Sequence, residues 1–334
     1  MPARLAELKS ERFEGQAARN FEIVSDQGHR ATFNAVGARL MSLEFPDGFD
    51  AVVGPATIGD AWDSEIYAGA ICGRFANRIH DSRFVLDGGT IHLGINEPPN
   101  HLHGGAYGFH RKVWQSAIEG DALVFTLVSP DNEEGYPGEL HARAAYRFDG
   151  PVLSCVIEAR TDKPTIVNLT NHAYWNLSGE ETIHNHSLTV SAGRHTPTDA
   201  KLIPTGEVPS VAGTAQDFRK ERTLADAFAA SPLGFDGNLC LDGERGSLHH
   251  AATLKGGGRM FDLYTTEPGV QVYTAGHHGP GFKGKKGKGL VRFGSIALEP
   301  QTWPDAPNNP SFPSAVLRPG DVYRHVMEWR FSKT

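Results

Sequence analysis

Tight-turn signals divide the sequence into short apolar runs, and this spacing constrains the fold more than any other feature. Asp-Gly pairs at 47–48, 87–88, 149–150 and 242–243 are typical of β-hairpin turns. The chain also holds 38 Gly and 21 Pro, which helix interiors tolerate poorly. We therefore predict an all-β protein, a large antiparallel β-sandwich with few short helices. Strands are predicted at 21–24, 31–36, 40–43, 84–86, 123–128, 146–158, 187–190, 270–274, 295–298 and 323–331.

One segment, residues 223–231, has the pattern of a helix, with Thr223 as its N-cap and Pro232 as its stop. No repeat of about 20 to 50 residues is visible, which disfavours propellers and solenoids. A chain of 334 residues is long enough to bury a sizeable core. We expect a single domain that spans residues 1–334.

The net charge of −7 indicates a mildly acidic protein without a general attraction for polyanions, so nucleic acid is not an expected partner. The first 20 residues are too charged for a signal peptide, and no apolar run is long enough to span a membrane. Cys72, Cys155 and Cys240 lie in apolar surroundings, so we expect them to be reduced and buried. These features predict a cytoplasmic protein with no membrane partner. They leave open whether it is a monomer or a homodimer.

Residues 168–177 (NLTNHAYWNL) place one histidine among three carboxamides and two large aromatic rings. Asn is disfavoured inside strands, so three in this short stretch indicate amides directed at a polar group. The β-branched lead-in places His172 late in a strand or just beyond it, where it can titrate near neutral pH. Aromatic rings beside amides suit a ring-shaped ligand with hydroxyl groups. The alternative is a buried His172 that neighbouring Asn side chains satisfy.

Two polar clusters in the first third of the chain are candidates for the same site. The segment GRFANRI at 73–79 contains Asn77 and Arg78 beside small residues that would let a ligand approach the backbone. The segment NHLHGG at 100–105 puts His103 before two glycines, in a tight turn that would fix its side chain. For the first cluster, a surface turn with solvated arginines is the alternative.

Two further clusters contribute carboxylates. Asp236 is flanked by glycines in residues 234–238, a pattern that also fits a simple Asx turn. Glu299 follows the apolar run 295–298 and precedes Pro300. We therefore predict that Glu299 lies at a strand end with a partly desolvated carboxylate.

The chain lacks a serine-nucleophile elbow, a thiol in a charged setting and a glycine-rich phosphate loop. Its polar clusters favour proton transfer on a neutral polar molecule, without a cofactor. A metal site is the alternative, because His184 and His186 would lie on one face of a strand, but no third ligand follows nearby. We therefore predict no metal. The Lys/Gly run at 283–289 is interpreted as a mobile loop, with electrostatic steering of a phosphosugar as the alternative.

Five motifs in a fixed order carry a resemblance to the galactose mutarotase, or aldose 1-epimerase, family. They are GRFANRI at 73–79, NHLHGG at 100–105, TNHAYWNL at 170–177, DFR at 217–219 and LEPQ at 298–301. The resemblance runs from near Arg30 to the end of the chain. It implies a galactose mutarotase-like supersandwich that interconverts the α and β anomers of free hexoses such as galactose and glucose. The expected partner is then a small-molecule aldose.

By this resemblance, Glu299 is the base that removes the proton of the anomeric hydroxyl, and His172 is the acid that protonates the ring oxygen. The family positions near the ring oxygen and the sugar hydroxyls are matched by His103, Arg78, Asn77, Asp236 and Gln271. A hemiacetal opens when one oxygen loses a proton and the other gains one. One base and one acid are therefore sufficient for the reaction, without a covalent intermediate.

Two departures from the family leave the pocket rim and the sugar preference open. Trp175 stands where many members have Phe, and HHGPG at 277–281 replaces an Asn-containing segment. Two other functions also stay open: an epimerase of a phosphorylated hexose, which would need an arginine cluster, and a non-catalytic carbohydrate-binding module. A binding module has no need of both His172 and Glu299, whereas a catalyst needs both.

Overall fold

The computed structural model describes residues 3–63, 66–279, 284–285 and 290–334, so most of the Lys/Gly run at 283–289 lies outside the described residues. Within them the chain forms two short helices, α1 (Ile58–Asp63) and α2 (Leu224–Ala230). The strands, in chain order, are β1 (Arg4–Phe13), β2 (Gln16–Val24), β3 (Arg30–Asn34), β4 (Arg39–Glu44), β5 (Val52–Val53), β6 (Ile71–Cys72), β7 (Arg78–Ile79), β8 (Arg83–Leu86), β9 (Gly89–His92), β10 (His101–Leu102), β11 (Gln115–Glu119), β12 (Ala122–Ser129), β13 (Leu140–Asp149), β14 (Val152–Thr161), β15 (Thr165–Ile166), β16 (Thr170–Asn171), β17 (Tyr174–Trp175), β18 (Ser187–Val190), β19 (Arg194–Thr196), β20 (Arg222–Thr223), β21 (Asp236–Cys240), β22 (His249–Gly256), β23 (Arg259–Thr265), β24 (Gly269–Tyr273), β25 (Ile296–Gln301), β26 (Val316–Leu317) and β27 (Tyr323–Lys333).

Two large sheets organise these strands. The first has nine strands in the order β11-β12-β13-β14-β27-β23-β22-β18-β20, and the second has six in the order β19-β21-β24-β25-β17-β5. A four-stranded meander, β1 to β4, forms a third sheet. Neighbouring strands run antiparallel throughout both large sheets. The predicted all-β antiparallel sandwich with few short helices is confirmed.

The main core lies between the two large sheets. Successive side chains of a strand point to opposite faces, so one face of the six-stranded sheet can be apolar and the other polar. Val270, Val272 and Leu298 on the inner face are buried with Leu263 and Trp329 of the nine-stranded sheet in one hydrophobic cluster. The alternate positions of β21, β24 and β25 are thereby left for polar side chains on the outer face.

Helix α2 confirms the helix predicted at 223–231. The Thr223 hydroxyl accepts a hydrogen bond from the backbone N–H of Asp226 at 3.1 Å, which satisfies one free N–H of the first turn. The buried side chains of Leu224, Ala227 and Phe228 hold the helix against the core. Pro232 follows just after the C-cap, where a helix cannot continue.

Strand β1 was not predicted, because its sequence is rich in charge. It pairs with β2 along most of its length and leaves most of its side chains exposed. Backbone pairing at a sheet edge requires no apolar face, so hydrophobic periodicity does not reveal such a strand. No helix in the described part of the chain is long and apolar enough to cross a membrane.

Candidate active site

A row of polar side chains crosses the outer face of the six-stranded sheet. Asn238 of β21 pairs with Gln271 of β24, and Gln271 pairs with Glu299 of β25. Residues opposite one another in an antiparallel ladder point to the same face, so these three side chains are neighbours on one floor. Asp236 and Tyr273 form the next row of the same face.

His172 reaches this floor from a separate ribbon. It follows directly after β16, which pairs with β6, so the prediction that it lies just beyond a strand is confirmed. Its backbone is fixed on both sides, because its N–H donates to Ala70 at 2.9 Å and its carbonyl accepts from the N–H of Gly69 at 2.7 Å. The ring is thereby held above β25.

His172 and Glu299 face each other as a buried imidazole and carboxyl group. The Nε2 of His172 lies 3.4 Å from Oε1 of Glu299, and the two side chains are only 4% and 2% exposed. Such a pair can hold and exchange one proton across a short distance. The prediction that Glu299 ends its strand is wrong, because β25 continues through Pro300 to Gln301. Pro300 is accommodated because β17, the second neighbour of β25, reaches only Ile296 and Ala297.

Burial dominates the proton affinity of both groups. It raises the pKa of Glu299 well above its usual range, and the charge of Asp236 adds to this effect while that of Arg78 opposes it. Burial lowers the pKa of His172 to about 3. A buried ion pair needs hydrogen bonds for its remaining polar atoms, but among the described residues Nδ1 of His172 and Oε2 of Glu299 have no partner of good geometry. The pair therefore favours its neutral form, with the proton on the carboxyl group.

Arg78 joins two carboxylates beside the pair. Its Nε and Nη2 donate to Glu97 at 2.7 and 2.8 Å, and its Nη1 lies 3.8 Å from Asp236. Asp236 in turn accepts a 2.6 Å hydrogen bond from the amide of Gln271. Burial, the largest single influence, lowers the pKa of Arg78, but the hydrogen bonds to Glu97 and the charges of Asp236 and Glu97 together outweigh it, so the pKa is raised. This chain fixes the guanidinium at the cavity wall.

Asn77 and His103 hold each other in place. The backbone N–H of Asn77 donates to Nδ1 of His103 at 3.1 Å, and the N–H of His103 donates to the carbonyl of Asn77 at 3.1 Å. Both residues have positive φ, 67° and 51°, which marks a backbone held by its surroundings. Gly104 is required next, because a Cβ there would lie 1.7 Å from the carbonyl oxygen of Gly73. The predicted tight turn does fix His103.

The structure brings all seven predicted site residues together around one cavity of about 310 Å³. Cavities of roughly this size and above hold small molecules in proteins. Sequence reasoning missed four lining residues, Ile66, Tyr67, Leu102 and Tyr273. Tyr67 packs 4.3 Å from the ring of His103 and 5.8 Å from that of His172. No local motif surrounds Tyr67, so only its position in the fold reveals it.

A second cavity of about 560 Å³ adjoins the first through His278. Its wall includes Gly284, Lys285 and Leu290, which border residues outside the described ranges. The acid and base candidates all lie around the smaller cavity. We therefore assign the chemistry to the smaller cavity despite its size.

The three amides around His172 do not face the cavity. Asn168 donates to the carbonyl oxygens of Ala76 and Thr302, and Asn171 and Asn176 likewise bind backbone carbonyls. The polar group at which these amides are directed is therefore the protein backbone. They hold irregular segments together where ladder hydrogen bonds are missing.

Trp175 also points away from the cavity. It is fully buried against Phe261, Trp329 and Phe331 in the main core. Trp175 therefore lies outside the lining of the cavity, because neighbouring residues of a strand face opposite sides and Tyr174 takes the cavity side. His277 and His278 do line the cavity, as the departure from the family pattern suggested.

The suggested metal site at His184 and His186 does not form. Both residues precede β18, and Nε2 of His186 accepts a hydrogen bond from the N–H of Leu177 at 2.8 Å. His184 instead contacts the hydroxyl of Thr182 at 3.0 Å. The two imidazoles therefore serve separate local contacts.

Within the described ranges, the group best placed to hold a metal ion is His103, His172 and Glu299, whose ligand atoms lie within 4.8 Å of one another. A metal ligand must offer a free lone pair. Because Nδ1 of His103 accepts the N–H of Asn77, a neutral His103 carries its hydrogen on Nε2. That nitrogen is a donor, which suits a sugar oxygen and does not suit a cation.

The fold and the site together define a β-sandwich protein with a buried pair of histidine and carboxyl group at the wall of a polar cavity. The family model for aldose 1-epimerase matches residues 19–330. The chain therefore belongs to the aldose 1-epimerase family.

Individual relatives agree with this membership. The chain is 40% identical to human galactose mutarotase over 330 residues, covering 95% of each chain. It is 35% identical to aldose 1-epimerase of Escherichia coli K12 over 334 residues, covering 95% of this chain and 96% of the other. The structure of an aldose epimerase homologue from C. elegans superimposes with a TM-score of 0.87 at 31% identity, covering 92% of this chain and 97% of that one.

Proposed function

We propose that this protein is an aldose 1-epimerase, or mutarotase, an isomerase that interconverts the α and β anomers of free hexoses such as galactose and glucose. The observation that carries the proposal is the buried pair of His172 and Glu299, 3.4 Å apart at the wall of a polar cavity. Membership of the family and the names of the human and E. coli relatives support the same reaction.

Ring opening uses the two groups in opposite senses. Glu299, as the carboxylate, removes the proton of the anomeric hydroxyl, and the electrons of that O–H bond form the aldehyde carbonyl. The bond between C1 and the ring oxygen breaks, and the ring oxygen takes a proton from the imidazolium of His172. Rotation about the bond next to the aldehyde and closure on the other face return both protons.

The neutral form of the pair matches the open-chain stage of this reaction. Once the ring has opened, Glu299 is protonated and His172 is neutral, which is the state that burial favours in both groups. Opening therefore removes two charges from a poorly solvated site. We infer that the open-chain aldehyde is more stable, relative to the ring form, in this site than in water. In water, exposed groups of the same kind would keep their charges at little cost.

The remaining residues are assigned to binding. We propose that Nε2–H of His103 and the guanidinium of Arg78 donate to sugar oxygens, since both line the cavity and their other atoms are already bonded. Asp236 and Oε1 of Gln271, a buried oxygen with no described partner, accept from hydroxyl groups. Asn77 completes the polar wall. The protein has only to supply and remove protons while the bond between C1 and the ring oxygen breaks and re-forms, so we propose that the reaction requires no cofactor and no metal.

The charges at the cavity favour a free sugar over a sugar phosphate. The guanidinium of Arg78 is matched by Glu97 and Asp236, so it contributes little net positive charge. Lys285, near the second cavity, pairs with Asp50. A phosphate group would need cations that are not already paired with carboxylates. Arg78 is the only Lys or Arg in the described lining of the cavity, and it is already paired.

We further propose a cytoplasmic location. The thiols of Cys72, Cys155 and Cys240 are buried and form no disulfide, which is consistent with a reducing compartment.

The test of the proposed function is polarimetry on freshly dissolved α-glucose and α-galactose, with and without the protein. We expect the protein to accelerate the approach to the equilibrium rotation. An unchanged rate together with measurable sugar binding would contradict the proposal and favour a carbohydrate-binding module.

A further inference from the structure

Arg39, the first residue of β4, is a buried cation that pairs with no carboxylate in the described part of the chain. Its side chain donates to the carbonyl oxygens of Ala68 and His110, and within the described residues its Nε has no partner. Burial lowers its pKa to about 10, so it stays charged at neutral pH, and the nearby Cys72 opposes this effect only in part. Buried charges are costly unless they are paired, so this arrangement calls for an explanation.

The carbonyl groups that Arg39 binds belong to the support of His172. Ala68 precedes Gly69, whose N–H donates to the carbonyl of His172, and the N–H of His172 donates to Ala70. His110, the other partner, packs 4.6 Å from the ring of Tyr67, which in turn lies over His172. Arg39 thus connects the segment of Ala68 with that of His110, and both segments support His172 on the side away from the cavity.

We propose, on the basis of the function proposed above, that Arg39 is a positioning residue for the acid–base pair. Its two carbonyl bonds fix the backbone that supports His172, and its unmatched charge disfavours a second proton on the pair. If both His172 and Glu299 are protonated, no base remains and the reaction stops. Arg39 therefore extends activity toward acidic pH.

The charge of Arg39 affects the protonation of the histidines near it. Burial is the largest cause that lowers the pKa of His172 and of His110, and the positive charge of Arg39 lowers both further. For His172, the charge of His278 has a larger effect than that of Arg39. The titratable and charged groups around the His172 ring, from all the elements that pack against it, are Glu299, Tyr67, His103, His110, Tyr174, His278 and Arg39. Glu299 is the only carboxyl group in this set, and burial raises its pKa. Within the described ranges, the surroundings of the ring therefore contain no other carboxylate that could offset Arg39.

Arg74 provides a matched control. It is also buried, with its guanidinium bonded to the carbonyls of Pro137 and Gly138 and to Ser129. Burial lowers its pKa to about 10 as well, but neighbouring carboxylates partly offset its charge. Replacing it therefore removes a buried arginine of similar construction away from the cavity.

The experiment compares wild type, Arg39→Met, Arg39→Lys and Arg74→Met by kcat/KM across the pH range in which each stays folded. In Arg39→Met, we expect the pH at which kcat/KM falls on the acidic side of the profile, the acidic limb, to be about one unit higher than in wild type. One nearby charge produces a pKa shift of about this size. Arg39→Lys keeps the charge and should keep the limb near its wild-type position, with lower kcat. Arg74→Met should lose thermal stability without a change in the limb.

A second readout does not depend on turnover. The protonated fraction of His172, followed by NMR with labelled histidine at the most acidic pH at which the proteins stay folded, should be larger in Arg39→Met than in wild type. If Arg39→Met does not fold, Arg39→Gln replaces it, because its amide can still bind a carbonyl but carries no charge. If Arg39→Met, or Arg39→Gln in its place, behaves like Arg74→Met in the NMR titration, the inference is overturned. Absence of any mutarotation by wild type would instead overturn the proposed function.

Discussion

Gln271 and Glu299 stand directly opposite each other in the ladder of β24 and β25, and Gln271 also donates a 2.6 Å hydrogen bond to Asp236. One amide thus separates the buried carboxyl of Glu299 from the charge of Asp236. The pKa of Glu299 is raised first by burial and second by that charge. This arrangement keeps a proton on Glu299 at a pH at which an exposed carboxyl would have lost it.

The raised pKa predicts how stability depends on pH. Between the pKa of an unfolded glutamate, about 4.3, and the higher folded value, the native state binds more protons, so the free energy of unfolding contributed by Glu299 falls as pH rises. Glu299→Gln has no ionisable group at this position, so its free energy of unfolding does not fall with pH for this reason. We expect its melting temperature to exceed that of wild type by a margin that grows with pH. Thermal unfolding at a series of pH values checks this, with the exposed Glu244→Gln as control; a margin independent of pH would contradict it.

The pair itself predicts a large loss of turnover. A positioned acid or base contributes about 10² to 10⁴ in rate, so Glu299→Gln and His172→Asn should each lower kcat by roughly that factor, with a much smaller effect on sugar affinity. Because both groups act in one proton exchange, the double variant should be little slower than the slower single one. Initial rates by polarimetry and sugar binding by calorimetry measure this. Folded single variants with near wild-type turnover would show that other groups are the acid and base.

Glu97 is predicted to act through Arg78. Glu97→Gln removes one charge of a bidentate pair, so Arg78 should be held less firmly and KM should rise roughly tenfold, with a smaller change in kcat. Asp87→Asn is the control, because Asp87 makes a similar bidentate contact with Arg318 on the exposed surface. Equal KM values for the two variants would show that the Glu97 contact is not needed for binding.

Substrate preference is predicted from the charges at the cavity. Since both carboxylates beside Arg78 already match its charge, free glucose should be turned over with a higher specificity constant than glucose 6-phosphate. Coupled assays with the two anomerically pure sugars measure the ratio. A preference for the phosphate would point to cations outside the described residues, such as those of the Lys/Gly run at 283–289.

Metal independence is predicted from the hydrogen bond that His103 accepts. With its Nδ1 engaged by Asn77, His103 presents a donor to the cavity. Dialysis against a chelator should therefore leave kcat unchanged. Lost activity that zinc or another divalent ion restores would show that His103 instead acts as a ligand together with His172 and Glu299.

Several features of the site follow from local sequence. The two glycines after His103 indicate a forced turn, and a positive φ at His103 with a close approach at Gly104 is found there. The strand at 295–298 and the unusual residues around His172 likewise identify both members of the pair. These signals are local because they depend on steric limits of one or two residues.

Other features depend on contacts far apart in the sequence. The direction of the three amides and of Trp175 could not be read from residues 168–177, because the partners of these side chains, such as Thr302 and Phe261, lie elsewhere in the chain. The lining by Tyr67 has the same origin.

Sequence by itself determined the antiparallel β architecture, since strand alternation and turn chemistry are short-range properties. The acid and base roles of His172 and Glu299 came from the resemblance of the motifs to a known family. Only the tertiary structure decided that His172 and Glu299 lie 3.4 Å apart, that both are buried, and that the unmatched charge of Arg39 lies behind them. Proton affinities in a folded protein are set by desolvation and by nearby charges, and both arise only when distant segments pack together.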